Sequence, residues 1–193
     1  MIRTMPTVAL IAANVVVYVY TSLLSGSFVV MSIDVLKAYG QFNKWVLDGF
    51  YWQLLTAMFV HVNIVHLVSN MFFLFIFGLR AEELFTTPEY YLIYFVSGFV
   101  GNMLSLLGGP NFLSAGASGA IFGVFGANII FLRRTVGQPI IVSLMYAFMF
   151  FVLTVSVNTN VFAHFGGLVA GLALGYVFAG MKRFVRVRAS YAV

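Results

Sequence analysis

Residues 116–133 read GASGAIFGVFGANIIFLR, and residues 163–181 read AHFGGLVAGLALGYVFAGM. Each run is apolar and long enough to cross a bilayer, which takes roughly 17–25 residues. Each begins with a polar group that hydrocarbon does not welcome: Ser118 in the first, His164 in the second. Polar side chains at membrane depth are expensive and tend to mark function. Each run also carries glycines on one face, Gly119, Gly123 and Gly126 in the first and Gly167, Gly171 and Gly175 in the second. Stripes of small residues let helix backbones approach closely in lipid. Ser118 lies one residue before its stripe and His164 about one turn before its own, so the packing of the two stripes is expected to bring serine and histidine together.

The composition agrees with this reading. Of 193 residues 62% are hydrophobic and 8% charged, whereas soluble domains carry about 25% charged residues. The expectation is an all-α, polytopic membrane protein forming one bilayer-embedded domain, 1–193. There is no cysteine, which excludes disulfides, thiolate nucleophiles and Cys-ligated metal. The net charge of +5 is not read as a nucleic-acid signal, because the basic residues cluster at the ends of apolar segments.

Six spans are predicted, at 6–25, 62–80, 88–107, 117–133, 139–157 and 162–181. Arg3 before an apolar stretch and Ser25-Gly26-Ser27 after it resemble a secretory signal, but Val8 to Leu24 is longer than a usual signal core, which favours an uncleaved first helix. Six spans put both termini on one side, with Arg3, Arg80, Arg133, Arg134, Lys182, Arg183, Arg186 and Arg188; only Lys37 and Lys44 face the other. The positive-inside rule then predicts a cell-membrane protein with both termini in the cytoplasm. In that topology Ser118, His164, His61, His66 and Asn70 all fall in the outer half.

The stretch 26–61 is too apolar for a solvated linker, with Phe28, Val29, Val30, Trp45, Phe50, Tyr51 and Trp52. It reads either as a partly embedded hairpin or set of short helices, or as an extracellular loop with interfacial anchors.

The polar groups suit acyl transfer. A serine hydroxyl needs a base within hydrogen-bond reach, and His164 is the candidate for Ser118. The developing oxyanion needs donors. The Ser118 N–H at a helix start is one, and His66 and Asn70, four residues apart on one face of the second span, can supply others. No Asp or Glu lies in the outer half of a span, so the arrangement reads as a dyad.

These residues resemble the rhomboid family of intramembrane serine proteases, in its minimal six-span prokaryotic form. Gly116-Ala117-Ser118-Gly119 is similar to the family's Gly-x-Ser-Gly motif, and the segment from Ala163 through Gly171 to the one that carries its base. His61, His66 and Asn70 match a His-x4-His-x3-Asn pattern, and Gly78 with Glu82 a helix-end Gly-x3-Glu feature. The resemblance implies a six-helix bundle with a half-submerged first loop. It implies Ser118 as nucleophile, His164 as base, and His66, Asn70 and the N–H groups of Ser118 and Ala117 around the oxyanion. Gly119, Gly123, Gly167 and Gly171 would pack helices, and His61 would be structural. Transmembrane protein substrates and the lipid bilayer are the implied partners; no cofactor and no metal are implied. One departure stands out: the family often has Trp-Arg in the first loop, and here Gln53 follows Trp52. Glutamine lacks arginine's fork, which leaves open what holds this loop.

Three other readings remain. A transporter would want charged groups deeper in the spans. A zinc site from His61, His66 and His164 would take the imidazole from the serine. A catalytically silent rhomboid-like protein that binds membrane clients is the remaining alternative.

Overall fold

The computed structural model describes residues 5–137, 139, 141, 142, 145 and 160–190, with the backbone alone for 182–190. In chain order the elements are α1 (Pro6–Ser25), α2 (Ile33–Tyr39), β1 (Gln41–Phe42), α3 (Asn43–Leu47), α4 (Gln53–Thr56), α5 (Ile64–Leu84), α6 (Thr87–Leu104), a 3-10 turn (Ser105–Gly108), β2 (Leu113–Ser114), α7 (Ser118–Val136) and α8 (Val161–Ser190). Among the described residues five helices are long and apolar enough to cross a membrane: α1, α5, α6 with its 3-10 extension, α7 and the first part of α8. The expected span at 139–157 lies almost wholly outside the described residues.

Local chemistry sets the helix ends. Asn63 caps α5 by accepting the His66 N–H. Thr86 and Glu89 form a capping box at the start of α6. α7 stops at Gly137, whose φ of +77° is a left-handed C-cap. Three helices outlast their expected ends at Arg80, Arg133 and Met181: α5 runs to Leu84, α7 to Val136 and α8 to Ser190. Charge ends an apolar run but not a helix, and Ala81, Glu82, Glu83 and Leu84 are all good helix formers.

α7 sits at the centre and is the most buried of the five spans. Its glycines make this possible. A methyl group on Gly167 would strike the carbonyl oxygen of Gly119, and one on Gly171 the carbonyl oxygen of Gly123. α6 closes in from the other side, where a methyl on Gly101 would come within 2.5 Å of the Ala163 oxygen. The three helices therefore meet backbone to backbone, as small-residue packing allows in lipid. On the far side of the bundle Glu82 accepts the Thr7 N–H at the start of α1 (2.8 Å), where a carboxylate also suits the helix dipole. Gly78 leaves room there for Thr7 and the Tyr90 hydroxyl.

The stretch 26–61 folds as the short helices α2, α3 and α4 around β1. Phe28, Val29, Val30, Leu47, Tyr51 and Trp52 all point outward, an exterior that suits headgroup depth. β1 pairs antiparallel with β2, Gln41 opposite Ser114 and Phe42 opposite Leu113, so the loop is fastened to the strand that leads into α7. The structure shows what Gln53 does in this loop. Gln53 is fully buried; its Oε1 accepts the Phe42 N–H (2.9 Å) and its Nε2 donates to the carbonyl oxygens of Lys37 (2.7 Å) and Ala38 (3.4 Å). An amide offers both a donor and an acceptor, and this loop needs both.

Candidate active site

Ser118 is the first residue of α7, and Ala117 occupies the cap position before it. The turn into the helix needs Gly116, whose φ is +135°, a region that residues with a Cβ rarely adopt. The Gly116 N–H donates to the Ala57 carbonyl (2.9 Å), which ties this turn to the segment after α4. Amides in the first turn of a helix have no intrahelical acceptor, so the N–H of Ser118 is available to a ligand and reinforced by the helix dipole.

His164 lies in the first turn of α8 and is almost fully buried. Its Nε2 lies 2.8 Å from Ser118 Oγ. Its ring stacks on Phe122, with centroids 4.3 Å apart and planes 22° from parallel. Phe122 is one turn beyond Ser118 on α7, so one helix presents both the hydroxyl and the surface that orients the imidazole. For Nε2 to accept the hydroxyl proton the neutral ring must carry its hydrogen on Nδ1. Among the described residues nothing hydrogen-bonds Nδ1, so no carboxylate forms a third member.

His66 reaches the same place from α5. A Cβ on Gly116 would lie 2.7 Å from His66 Cε1 and 3.0 Å from Nε2, so the imidazole rests against the backbone two residues before Ser118. Asn70 is buried one turn further along α5 and donates to the His66 carbonyl (2.8 Å). That bond uses one of the two hydrogens on its amide nitrogen. His61 packs edge-on to His66, ring centroids 5.2 Å apart, with its Nδ1 3.2 Å from the Phe59 carbonyl. A carbonyl only accepts, so His61 carries its hydrogen on Nδ1. Burial, with His66 a smaller influence, pushes its pKa down to about 3 and keeps it neutral. Among the described residues no three His, Cys, Asp or Glu side chains gather closely enough to hold a metal ion.

The structure adds residues that motif reading did not single out. Gln41 donates to Asn43 Oδ1 (2.8 Å) and to the Asn102 carbonyl (2.9 Å). Asn43 donates to the carbonyls of Ser105 (2.7 Å) and Gly109 (2.9 Å), and Asn102 to that of Leu54 (2.9 Å). Asn160 donates to Ser105 and Ser114. One signal was visible: an asparagine just before an apolar run is a helix-start pattern.

Comparison with known proteins points one way. A profile of the Rhomboid domain matches residues 48–181. RHOMBOID-like protein 6, mitochondrial, of Arabidopsis thaliana is 40% identical over 134 residues, 65% of this chain and 43% of the plant protein. Rhomboid-like protease 3 of Toxoplasma gondii is 30% identical across 84% of this chain and 65% of its own length. YdcA of Bacillus subtilis (strain 168), whose description assigns it provisionally to the rhomboid proteases, is 32% identical across 94% of this chain and 92% of its own length. The chain thus spans less than half of the plant relative and just under two thirds of the Toxoplasma one. With the profile covering well over half of its residues and the helices around them packed as a polytopic bundle, this chain belongs to the rhomboid family.

Proposed function

We propose that the chain, taken as one domain over 1–193, is an intramembrane serine protease that hydrolyses peptide bonds in or near transmembrane segments of membrane proteins. The observation that carries this reading is the 2.8 Å approach of His164 Nε2 to Ser118 Oγ at the start of a buried helix. Ser118 Oγ gives its proton to His164 as it attacks the scissile carbonyl carbon. The negative charge on the carbonyl oxygen falls to the N–H groups of Ser118 and Ala117 and to the side chains of His66 and Asn70. Oxyanion donors of this kind are each worth about 3–4 kcal/mol of barrier. His164 then protonates the leaving amine, and a water molecule, deprotonated by the same imidazole, releases the acyl group. The substrate must unwind locally, because a helical carbonyl is engaged by its own hydrogen bonds.

The names of the Toxoplasma and Bacillus relatives support a protease. Residence in the cell membrane with cytoplasmic termini follows from the distribution of Lys and Arg and belongs to the same proposal. Purified protein in liposomes, given a labelled single-span substrate, tests it. Wild type should cleave with or without EDTA, and Ser118→Ala and His164→Ala should each lose about a thousandfold or more in rate. Equal cleavage by Ser118→Ala would overturn the reading.

A further inference from the structure

Along the facing glycines the contact between α7 and α8 is smooth. Gly119 and Gly123 face Gly167 and Gly171 backbone to backbone, and the side chain that α8 lays on Gly119 is only the methyl of Ala163. Such a surface permits close approach but resists sliding and rotation poorly. Yet a misplacement of about 1 Å between reacting groups costs roughly 100-fold in rate. The Phe122 stack orients the His164 ring and Arg134 bonds the Tyr176 carbonyl further along, but neither ties the start of α8 to the strand that leads into α7.

Asn160, immediately before α8, makes the required connections. Its Oδ1 accepts the Ala163 N–H (3.0 Å) and its carbonyl the His164 N–H (3.2 Å), so it starts the helical turn that carries His164. Its Nδ2 donates to Ser114 Oγ (2.6 Å) and Ser105 Oγ (2.7 Å). Both amide hydrogens are thereby used. The anchors are themselves fixed. Ser114 is in β2, paired with Gln41 of the first loop. Ser105 Oγ donates to the Gly101 carbonyl (3.0 Å), and its own carbonyl accepts from Asn43 (2.7 Å). Ser114 precedes Ser118 by four residues and Asn160 precedes His164 by four, so one side chain ties together the approaches to both.

We propose that Asn160 is a positioning residue: its amide fixes the register of α8 against the strand entering α7 and so sets the distance between Ser118 and His164. The proposal rests on reading those two as nucleophile and base.

Asn160→Ser isolates the effect. A serine hydroxyl still caps Ala163 but is too short to reach Ser105 and Ser114 as well. We expect kcat to fall about 10–100-fold with KM within about twofold of wild type, and labelling of Ser118 by a fluorophosphonate to slow in parallel. Ser114→Ala should share part of this loss, and Ser114→Thr, which keeps the hydroxyl, should restore it. A readout independent of activity uses the absence of native cysteine. An ideal Cβ at 119 lies 3.6 Å from the Ala163 Cβ, within disulfide range, so the pair Gly119→Cys and Ala163→Cys reports the register. Asn160→Ser should slow its oxidative cross-linking several-fold. Unchanged kcat and labelling in Asn160→Ser would overturn the proposal. So would a loss of kcat with unchanged cross-linking and a collapse in melting temperature, which would make Asn160 merely structural. If wild type neither cleaves nor takes up the probe, the nucleophile reading itself has failed and takes the positioning role with it.

Discussion

At its start α7 sits among backbone contacts and hydrogen bonds, with one ring stack, Phe122 on His164; at its other end rings predominate. Around Ser118 the contacts are glycines against carbonyls and a polar lattice running from Gln41 and Asn43 to Ser105, Ser114 and Asn160. Around Val136 they are Phe85 against Phe131 (centroids 4.9 Å) and Phe178 (6.1 Å), and the Arg134 guanidinium 3.6 Å over the Tyr176 ring. Aromatic packing adheres strongly and tolerates small shifts. Hydrogen bonds between short side chains add less adhesion but prescribe distances to a few tenths of an ångström. The bundle therefore separates holding together from holding in place, and the second task falls at the end that carries the candidate chemistry.

Phe131→Ala should break the adhesive end most visibly. Removing a buried phenyl ring costs about 3–5 kcal/mol of stability, read as a lower melting temperature in detergent, with kcat retained wherever the protein is still folded. A kcat that fell with stability would dissolve the distinction between the ends. Gly171→Ala should show the converse balance. Its methyl meets the Gly123 backbone oxygen, which cannot turn away. The expected loss of about 1–3 kcal/mol should come with a fall in kcat of more than tenfold, because parting α7 from α8 moves His164 from Ser118.

Acid should act on the polar end through His61. Unfolded His61 binds a proton near its ordinary pKa of 6.5, whereas burial lowers the folded value to about 3. The unfolded chain therefore binds more protons between those values. The stability held above pH 6.5 is lost as pH falls toward 3, at about 1.4 kcal/mol per pH unit. From pH 7 to 5 that is about 2 kcal/mol, and His61→Asn, whose amide can still donate to the Phe59 carbonyl, should flatten that part of a pH-dependent melting curve. The smallest effect is expected from Arg134→Lys. It loses the planar stack on Tyr176 and the bond to its carbonyl, worth about 0.5–1 kcal/mol, with no change in kcat.

Much of this was legible in the residues. Apolar runs placed α1, α5, α6, α7 and the start of α8 to within a few residues, because a bilayer dictates the length of what crosses it. The glycine stripes announced that α7 and α8 would touch, and with them that Ser118 and His164 would come close. The polar lattice was not legible. β1 and β2 are two residues each and far apart in sequence, too short for any alternation of apolar and polar residues to reveal. Gln53 looked like a weakness because the loss of an arginine can be read locally, whereas its three backbone partners come from α2 and β1.

The sequence by itself determined that this chain is a bundle of helices for a membrane and which helices can approach closely. Those are consequences of hydropathy and side-chain size, properties each residue carries wherever the chain goes. Only the tertiary structure decided the register of α8 on α7, the hold of the first loop on the strand before Ser118 and the seat of His66 against Gly116. Those depend on directional bonds between residues distant along the chain, and a hydrogen bond has no meaning until both partners have a place.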